Sequence, residues 1–290
     1  MATPAQWLAG ARPKTLPAAL APVLVGSGAA AALDGFDLPA ALLALLVALA
    51  LQVAVNYAND YSDGRRGTDA DRVGPMRLVG SGAASAGQVL VAACLAFGVA
   101  AVAGLVLAAL SSWWLVAVGA VCIVAAWTYT GGPIPYGYRA LGEVFVFVFF
   151  GPVAVVGTTF VQTGSVEGLA VAVSVPIGLL IVAILVVNNL RDLDGDAAVG
   201  KRTLAVLLGD RATRLAFAGL FVVAFAVILA VGIARPEALI GLLAAPLAVP
   251  PARTVLRGGR GPALIGALQG TGLLTLATGV LLGAGLALSG

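Results

Sequence analysis

Leu169-Ala-Val-Ala-Val-Ser174-Val-Pro176-Ile-Gly178-Leu-Leu-Ile-Val-Ala-Ile-Leu-Val-Val-Asn188-Asn189-Leu-Arg191-Asp192-Leu-Asp194-Gly-Asp196 passes from hydrocarbon to carboxylate within a few residues. Its apolar part, residues 168–188, has the length of about 20 residues that a helix needs to cross a ~30 Å hydrocarbon core. A second stretch repeats the pattern: an apolar run over 38–58 leads into Asn56-Tyr-Ala-Asn59-Asp60-Tyr-Ser-Asp63. With Asp69 and Asp71 just beyond, the two regions hold seven of the thirteen carboxylates in the chain. Carboxylates beside a bilayer are costly unless paired, solvated or bound to a cation, so both clusters are functional candidates.

The rest of the sequence explains why those acids stand out. Apolar residues make up 61% of the chain and charged residues 10%, and the mean hydropathy is +1.06. A soluble domain carries about 25% charged residues. Nine apolar stretches of spanning length occur, at 15–33, 38–58, 87–109, 112–130, 142–162, 168–188, 213–233, 236–252 and 264–288. The expected architecture is therefore an all-α polytopic membrane protein, a bundle of nine transmembrane helices forming one domain over residues 1–290. The first run follows Arg12-Pro-Lys14-Thr15 and lacks a small-residue cleavage site, so it reads as a span and not as a signal peptide.

Charge placement tests that count. With nine spans, fifteen of the sixteen basic residues fall in the segments on the N-terminal side, and only Arg235 falls opposite. Basic residues mark the cytoplasmic face. The expected topology has a cytoplasmic N-terminus and both acidic clusters on the cytoplasmic side. The net charge of +3 is thus topogenic and gives no reason to expect nucleic acid as a partner. The absence of histidine excludes imidazole metal ligands, histidine-based triads and histidine-ligated haem. Cys94 and Cys122 lie inside apolar spans and read as packing residues. No Walker loop or dinucleotide fingerprint occurs.

Spacing within the clusters carries the chemistry. Asn188, Asp192 and Asp196 recur every four residues, one face of a continuing helix, and Asn56/Asp60 and Asn59/Asp63 form two further i, i+4 pairs. Hard oxygen donors presented this way suit Mg²⁺, which binds through one or two carboxylates and takes other ligands from water and substrate phosphate. Beside them stand Arg65, Arg66, Arg72, Arg77, Arg191, Lys201 and Arg202, suited to phosphate oxygens. Acids and bases together suggest a site for a metal-bound polyphosphate. The bland alternative is a solvated loop in which the acids balance the arginines.

The segments Asn59-Asp60-x-x-Asp63 and Asp192-x-x-x-Asp196, at the ends of the second and sixth apolar stretches, resemble the two aspartate motifs of the UbiA superfamily of intramembrane prenyltransferases. Further segments are similar to its menaquinone branch, which prenylates 1,4-dihydroxy-2-naphthoate. These are Arg12-Pro-Lys-Thr-Leu-Pro17, Gly67-Thr-Asp69, Arg72-Val-Gly-Pro75, Pro135-Tyr-Gly-Tyr138, Leu141-Gly-Glu143, Asn188-Asn-Leu-Arg-Asp192 and Gly200-Lys-Arg-Thr-Leu204. The resemblance covers residues 12 to about 210, while the last three stretches match in length and hydrophobicity only. Many members carry another aspartate where this chain has Gly67, with Asp69 two residues later, which leaves the role of Asp69 open.

The resemblance implies a multi-pass enzyme of the bacterial cytoplasmic membrane that moves a polyprenyl chain from polyprenyl diphosphate to 1,4-dihydroxy-2-naphthoate, with loss of CO₂. It implies Mg²⁺ held by Asp60, Asp63, Asp192 and Asp196 with Asn59, and Asn56, Asn188 and Asn189 completing coordination or substrate contacts. Arg65, Arg66, Arg72, Arg191 and Lys201 would hold diphosphate oxygens. Tyr61, Tyr129, Tyr136 or the run Phe145, Phe147, Phe149 and Phe150 would face the allylic cation, since cation–π attraction strengthens in a dry site. Arg12, Lys14 and Arg139 are the candidates to meet the acceptor carboxylate. Rival acceptors are 4-hydroxybenzoate, haem, chlorophyll and ribosyl phosphate. Two further classes compete: a cation transporter, which would place acids near the bilayer midplane, and a phosphatidyl-group transferase, whose acids form one contiguous motif.

Overall fold

The computed structural model describes residues 2–67 and 76–289, so Asp69, Asp71 and Arg72 lie outside the described residues. The helices are α1 (Pro4–Ala11), α2 (Pro17–Ala31), α3 (Leu38–Arg66), α4 (Ala86–Leu110) and α5 (Leu115–Thr128). They continue with α6 (Gly142–Thr163), α7 (Gly168–Arg191), α8 (Leu193–Ala198), α9 (Leu204–Ala234), α10 (Pro236–Leu256) and α11 (Pro262–Ala287). Among the described residues there is no strand, only an isolated bridge between Arg139 and Arg202.

Seven helices, α3, α4, α6, α7, α9, α10 and α11, are long and apolar enough to cross a membrane. The stretches at 15–33 and 112–130 form the shorter α2 and α5, of 15 and 14 residues. Proline explains one of these starts. Pro13 and Pro17 bracket a tight 3-10 turn over Pro13–Thr15, so α2 begins at Pro17, where a missing N–H costs nothing. At its other end the chain leaves the helix through Asp34, whose φ is +56°.

α7 is the axis of the bundle: 67% of its most apolar window is buried, against 28% for α3, α4, α6, α9 and α10. Val173, Ile177 and Ile181 of α7 pack with Val25 and Ala29 of α2 and with Leu282 and Leu286 of α11. Leu180 and Val187 meet Phe217 and Phe221 of α9 and Leu274 of α11. Truncating such leucines to alanine typically costs about 2–5 kcal/mol. α3 and α4 pack separately, through Ala54, Tyr57 and Ala58 against Leu78, Val89, Ala93 and Phe97. The outer faces carry exposed Leu95, Val102, Val222, Ile233 and Leu243, an apolar surface suited to lipid and a liability in water.

Two close approaches position the site. A Cβ built at Gly28 of α2 would overlap the Gly283 carbonyl of α11, so small residues let these helices touch. Pro152 in α6 lacks an N–H, and the helix answers with a π turn over Phe149–Val153. At that turn a Cβ on Gly151 would lie 3.1 Å from the Gly178 Cα of α7. The bulge seats α6 on the axial helix while Phe145, Phe149 and Phe150 line a cavity against α3.

Candidate active site

The last turns of α3 bury the first acidic cluster. Asn56, Asp60 and Asp63 are buried, and each side chain has a defined partner. The Asp60 carboxylate accepts from the backbone N–H groups of Leu78 at 2.7 Å and Val79 at 3.1 Å, fixing the chain that returns towards α4. Asp63 Oδ1 accepts from the Tyr138 hydroxyl at 2.8 Å, and Oδ2 lies 3.4 Å from the buried Arg77 guanidinium. Asn59 Oδ1 accepts from the Thr130 hydroxyl at 2.7 Å. Asn56 donates to the Ala11 carbonyl and to Thr15 Oγ1, tying α3 to the Arg12–Thr15 turn.

The second cluster hangs on the end of α7. Arg191 forks onto Asp192 with two 2.7 Å bonds and reaches Asn188 Oδ1 at 3.0 Å. Lys201 lies 3.3 Å from Asp196 Oδ1. Asn189 turns the other way, donating to the buried Glu143 of α6 at 2.9 Å. Asp194 is exposed.

The loop between α5 and α6 joins the clusters. The ring of Tyr138 lies 5.1 Å from Lys201 Nζ and 5.3 Å from the Arg66 guanidinium carbon. Its carbonyl accepts from the Arg202 N–H at 3.1 Å. Arg66 also donates to the carbonyls of Thr130 and Gly132. Both clusters therefore share one end of the bundle. Charge-assisted contacts of this kind are shorter and stronger than neutral ones.

Beneath this loop is a cavity of about 230 Å³. Gln52, Asn56 and Asn59 of α3 line it, together with Tyr129, Tyr136, Phe145 and Phe149. Tyr136 stacks on Phe145 with centroids 4.1 Å apart and meets Tyr129 edge-on at 5.4 Å. Burial pushes the Tyr136 phenol pKa upward, so it stays neutral at ordinary pH. Other expected residues lie elsewhere. Arg65 is exposed and bonds its own helix neighbour Tyr61 at 3.0 Å. Lys14 is exposed, and Arg139 lines a separate surface groove with Arg202, Pro133 and Pro135. Arg12 is partly buried at the tight turn that starts α2. Phe147 packs against Gly178 of α7.

The aspartates do not form a ready-made cage. Among the described residues no three acidic or thiol side chains gather as metal ligands. The donor set still fits Mg²⁺: buried hard oxygens and adjacent cations at one end of the bundle suit an ion that draws part of its shell from a diphosphate and water.

The sequence alone does not single out Tyr138, Thr130, Gln52 or Thr15. Tyr138 stands in the Pro135–Tyr138 segment beside Tyr136, and nothing in the spacing distinguishes the two. Arg77, expected beside phosphate oxygens, lies 3.4 Å from Asp63 Oδ2.

The sequence profile described as UbiA prenyltransferase family matches residues 19–264. The chain belongs to the UbiA prenyltransferase family. It is 54% identical over 276 residues to the 1,4-dihydroxy-2-naphthoate octaprenyltransferase of Mycobacterium tuberculosis, covering 95% of this chain and 94% of that one. Its fold is similar to that of the apo UbiA homolog from Aeropyrum pernix K1, with a TM-score of 0.70 at 19% identity over 93% of this chain and 97% of the other. A UbiA homolog from Archaeoglobus fulgidus bound to GPP and Mg²⁺ gives a TM-score of 0.66 at 15% identity, over 96% and 99% of the two chains.

Proposed function

We propose that this UbiA-family chain transfers a polyprenyl group from polyprenyl diphosphate to 1,4-dihydroxy-2-naphthoate, releasing diphosphate and CO₂ and giving demethylmenaquinol. The observation that carries this reading is the 54% identity over 95% of the chain to a 1,4-dihydroxy-2-naphthoate octaprenyltransferase. The site geometry agrees with it: an aromatic-walled cavity lies beneath paired acidic and basic loops.

In this reading Asp60, Asp63, Asp192 and Asp196, with Asn59, are the residues that would hold Mg²⁺. Bound there, the ion supplies Lewis-acid stabilisation of the departing diphosphate. Arg66, Arg191 and Lys201 hold diphosphate oxygens, with Arg65 and Arg72 as further candidates. Asn188 orients Arg191 through its Oδ1, while Asn56 and Asn189 hold α3 and α7 to their neighbours beside the site. Tyr136, Phe145 and Phe149 turn aromatic faces to the allylic carbon as its bond to oxygen breaks, an attraction of about 2 kcal/mol when desolvated. The acceptor ring forms its new C–C bond at the carbon bearing the carboxylate. That carboxylate leaves as CO₂ and returns its electron pair to the ring, so aromaticity is restored without a base to remove a proton. Arg139, Arg12 and Lys14 remain the candidates to meet the acceptor carboxylate.

The same reading treats α2 and α5 as the two remaining spans of nine in a single domain, with a cytoplasmic N-terminus and active site in a bacterial cell membrane. The charge partition of the sequence supports this topology.

A competition assay tests the function. Purified protein in detergent, with Mg²⁺ and a labelled polyprenyl diphosphate, is offered equal 1,4-dihydroxy-2-naphthoate and 4-hydroxybenzoate. Prenylated naphthoate with matching CO₂ is the expected product. Prenylated 4-hydroxybenzoate would overturn the acceptor and leave the diphosphate site standing.

A further inference from the structure

Gln52 lies in α3, one turn before Asn56, and lines the cavity at only 7% exposure. Its amide orientation is fixed by a neighbour. Thr15 Oγ1 spends its one proton on the Arg12 carbonyl at 2.9 Å. It can therefore only accept from Gln52 Nε2 at 3.1 Å and from Asn56 Nδ2 at 3.0 Å. The nitrogen of Gln52 faces Thr15, and the oxygen must face away from it. That oxygen, Oε1, is buried and has no hydrogen-bond partner among the described residues. Buried polar atoms are nearly always satisfied, and an exception calls for an explanation.

The unmet atom narrows the ligand to one that donates. Oε1 accepts and cannot donate, so its partner must bring a proton. A prenyl chain has none to give, and diphosphate or carboxylate oxygens would set lone pairs against it. On the proposed reactants the hydroxyls of the acceptor are the remaining donors. In 1,4-dihydroxy-2-naphthoate the C1 hydroxyl is ortho to the carboxylate and spends its proton there, as in salicylate. The C4 hydroxyl is free to donate.

We infer that Gln52 Oε1 accepts a hydrogen bond from the C4 hydroxyl of the acceptor and so makes Gln52 a specificity-determining residue. This rests on the naphthoate reading above. The Thr15–Gln52–Asn56 node then explains why the Arg12–Thr15 turn is bonded to α3: it holds one amide rigid so that its oxygen is presented to the ring. A site built to receive a hydroxyl rejects an analogue that lacks it, because its own buried acceptor goes unpaired.

The test is equilibrium binding of acceptor analogues to the full chain in detergent, after turnover of 1,4-dihydroxy-2-naphthoate has been measured for the wild type. Failure of that turnover sinks the functional reading, and this inference with it. Given turnover, the wild type binds 4-hydroxy-2-naphthoate about tenfold or more tightly than 2-naphthoate, the order a buried hydrogen bond contributes. It binds 1-hydroxy-2-naphthoate no better than 2-naphthoate. Gln52→Leu brings the 4-hydroxy preference to near unity while the KM for polyprenyl diphosphate changes less than twofold. Gln52→Asn, which keeps an amide and withdraws its oxygen by one methylene, does the same, so the result does not depend on how the leucine variant folds. A preference that survives in both variants, or is missing from the wild type, overturns the inference and leaves the prenyl-transfer reading intact.

Discussion

The Tyr138 hydroxyl donates to Asp63 Oδ1 at 2.8 Å, although the two residues sit on different elements 75 positions apart. The same ring lies 5.1 Å from the Lys201 ammonium, which itself pairs with Asp196 at 3.3 Å. One side chain thus links Asp63 to the lysine that pairs with Asp196. Removing the hydroxyl alone should loosen one side of that bridge.

Tyr138→Phe is therefore expected to lower kcat/KM for the polyprenyl diphosphate by about ten- to a hundredfold, the range of a hydrogen bond to a charged group. Tyr138→Ala should cost more, because the cation–ring contacts to Lys201 and Arg66 go as well. Initial rates across donor concentrations would measure both. An alanine variant with wild-type kcat/KM would show that the bridge has no part in the reaction.

Asp60 and Asp63 should each bear on both stability and activity. Asp60 is 1% exposed and bonds the Leu78 and Val79 N–H groups, so Asp60→Ala leaves two buried donors unanswered. A loss of about 2–3 kcal/mol is expected, seen as a lower midpoint on heating in detergent, together with lost turnover. Asp63→Asn keeps an oxygen for the Tyr138 hydroxyl but removes the charge beside the buried Arg77, so it too should lower the midpoint while losing at least a hundredfold in rate. Wild-type turnover in either variant would remove that aspartate from the site.

How much of this was legible beforehand follows from which forces act locally. The membrane class, the helical fold and the position of α7 came from hydrophobic runs, because a bilayer demands about 20 apolar residues per crossing. Both acidic clusters stood out because carboxylates are rare in such a chain. The lengths of α2 and α5 did not follow, since proline at the start of one and the Trp113–Trp114 turn before the other trimmed the helices within the apolar runs. Pairings across the bundle were also hidden. That Asp60 would bond Leu78 and Val79, that Asn189 would reach Glu143, or that Tyr138 and not Tyr136 would face Asp63 depends on loop conformation, and spacing says nothing about it. Gln52 carries no charge, so nothing in its apolar run distinguishes it.

Divalent metal should be required. Chelation of solubilised protein is expected to abolish turnover, and added Mg²⁺ to restore it, because the clustered carboxylates and a diphosphate repel one another without a cation between them. Turnover that survives a chelator in excess would remove the metal from the scheme and leave Arg66, Arg191 and Lys201 to neutralise the leaving group alone.

Arg214 offers a contrast, a buried charge with a structural task. It is 6% exposed near the start of α9, where its guanidinium pairs with Asp210 through two 2.7 Å bonds. It also donates to the Val255 carbonyl at 2.6 Å and the Gly259 carbonyl at 3.1 Å, where α10 ends and the chain turns into α11. The sequence presents it as one more topogenic arginine, but its bonds clamp α9 to the end of α10 and to the loop that leads into α11. Arg214→Met keeps the length of the stem and strands both carbonyls, while Asp210, half exposed, can turn to water. A loss of about 2–3 kcal/mol is expected, which corresponds to a midpoint lowered by roughly 3–5 °C in a chain of this size. The folded fraction at low temperature should keep its KM for both substrates, because none of these groups lines the cavity. A variant that melts normally and yet binds acceptor poorly would move Arg214 from the frame of the protein into its site.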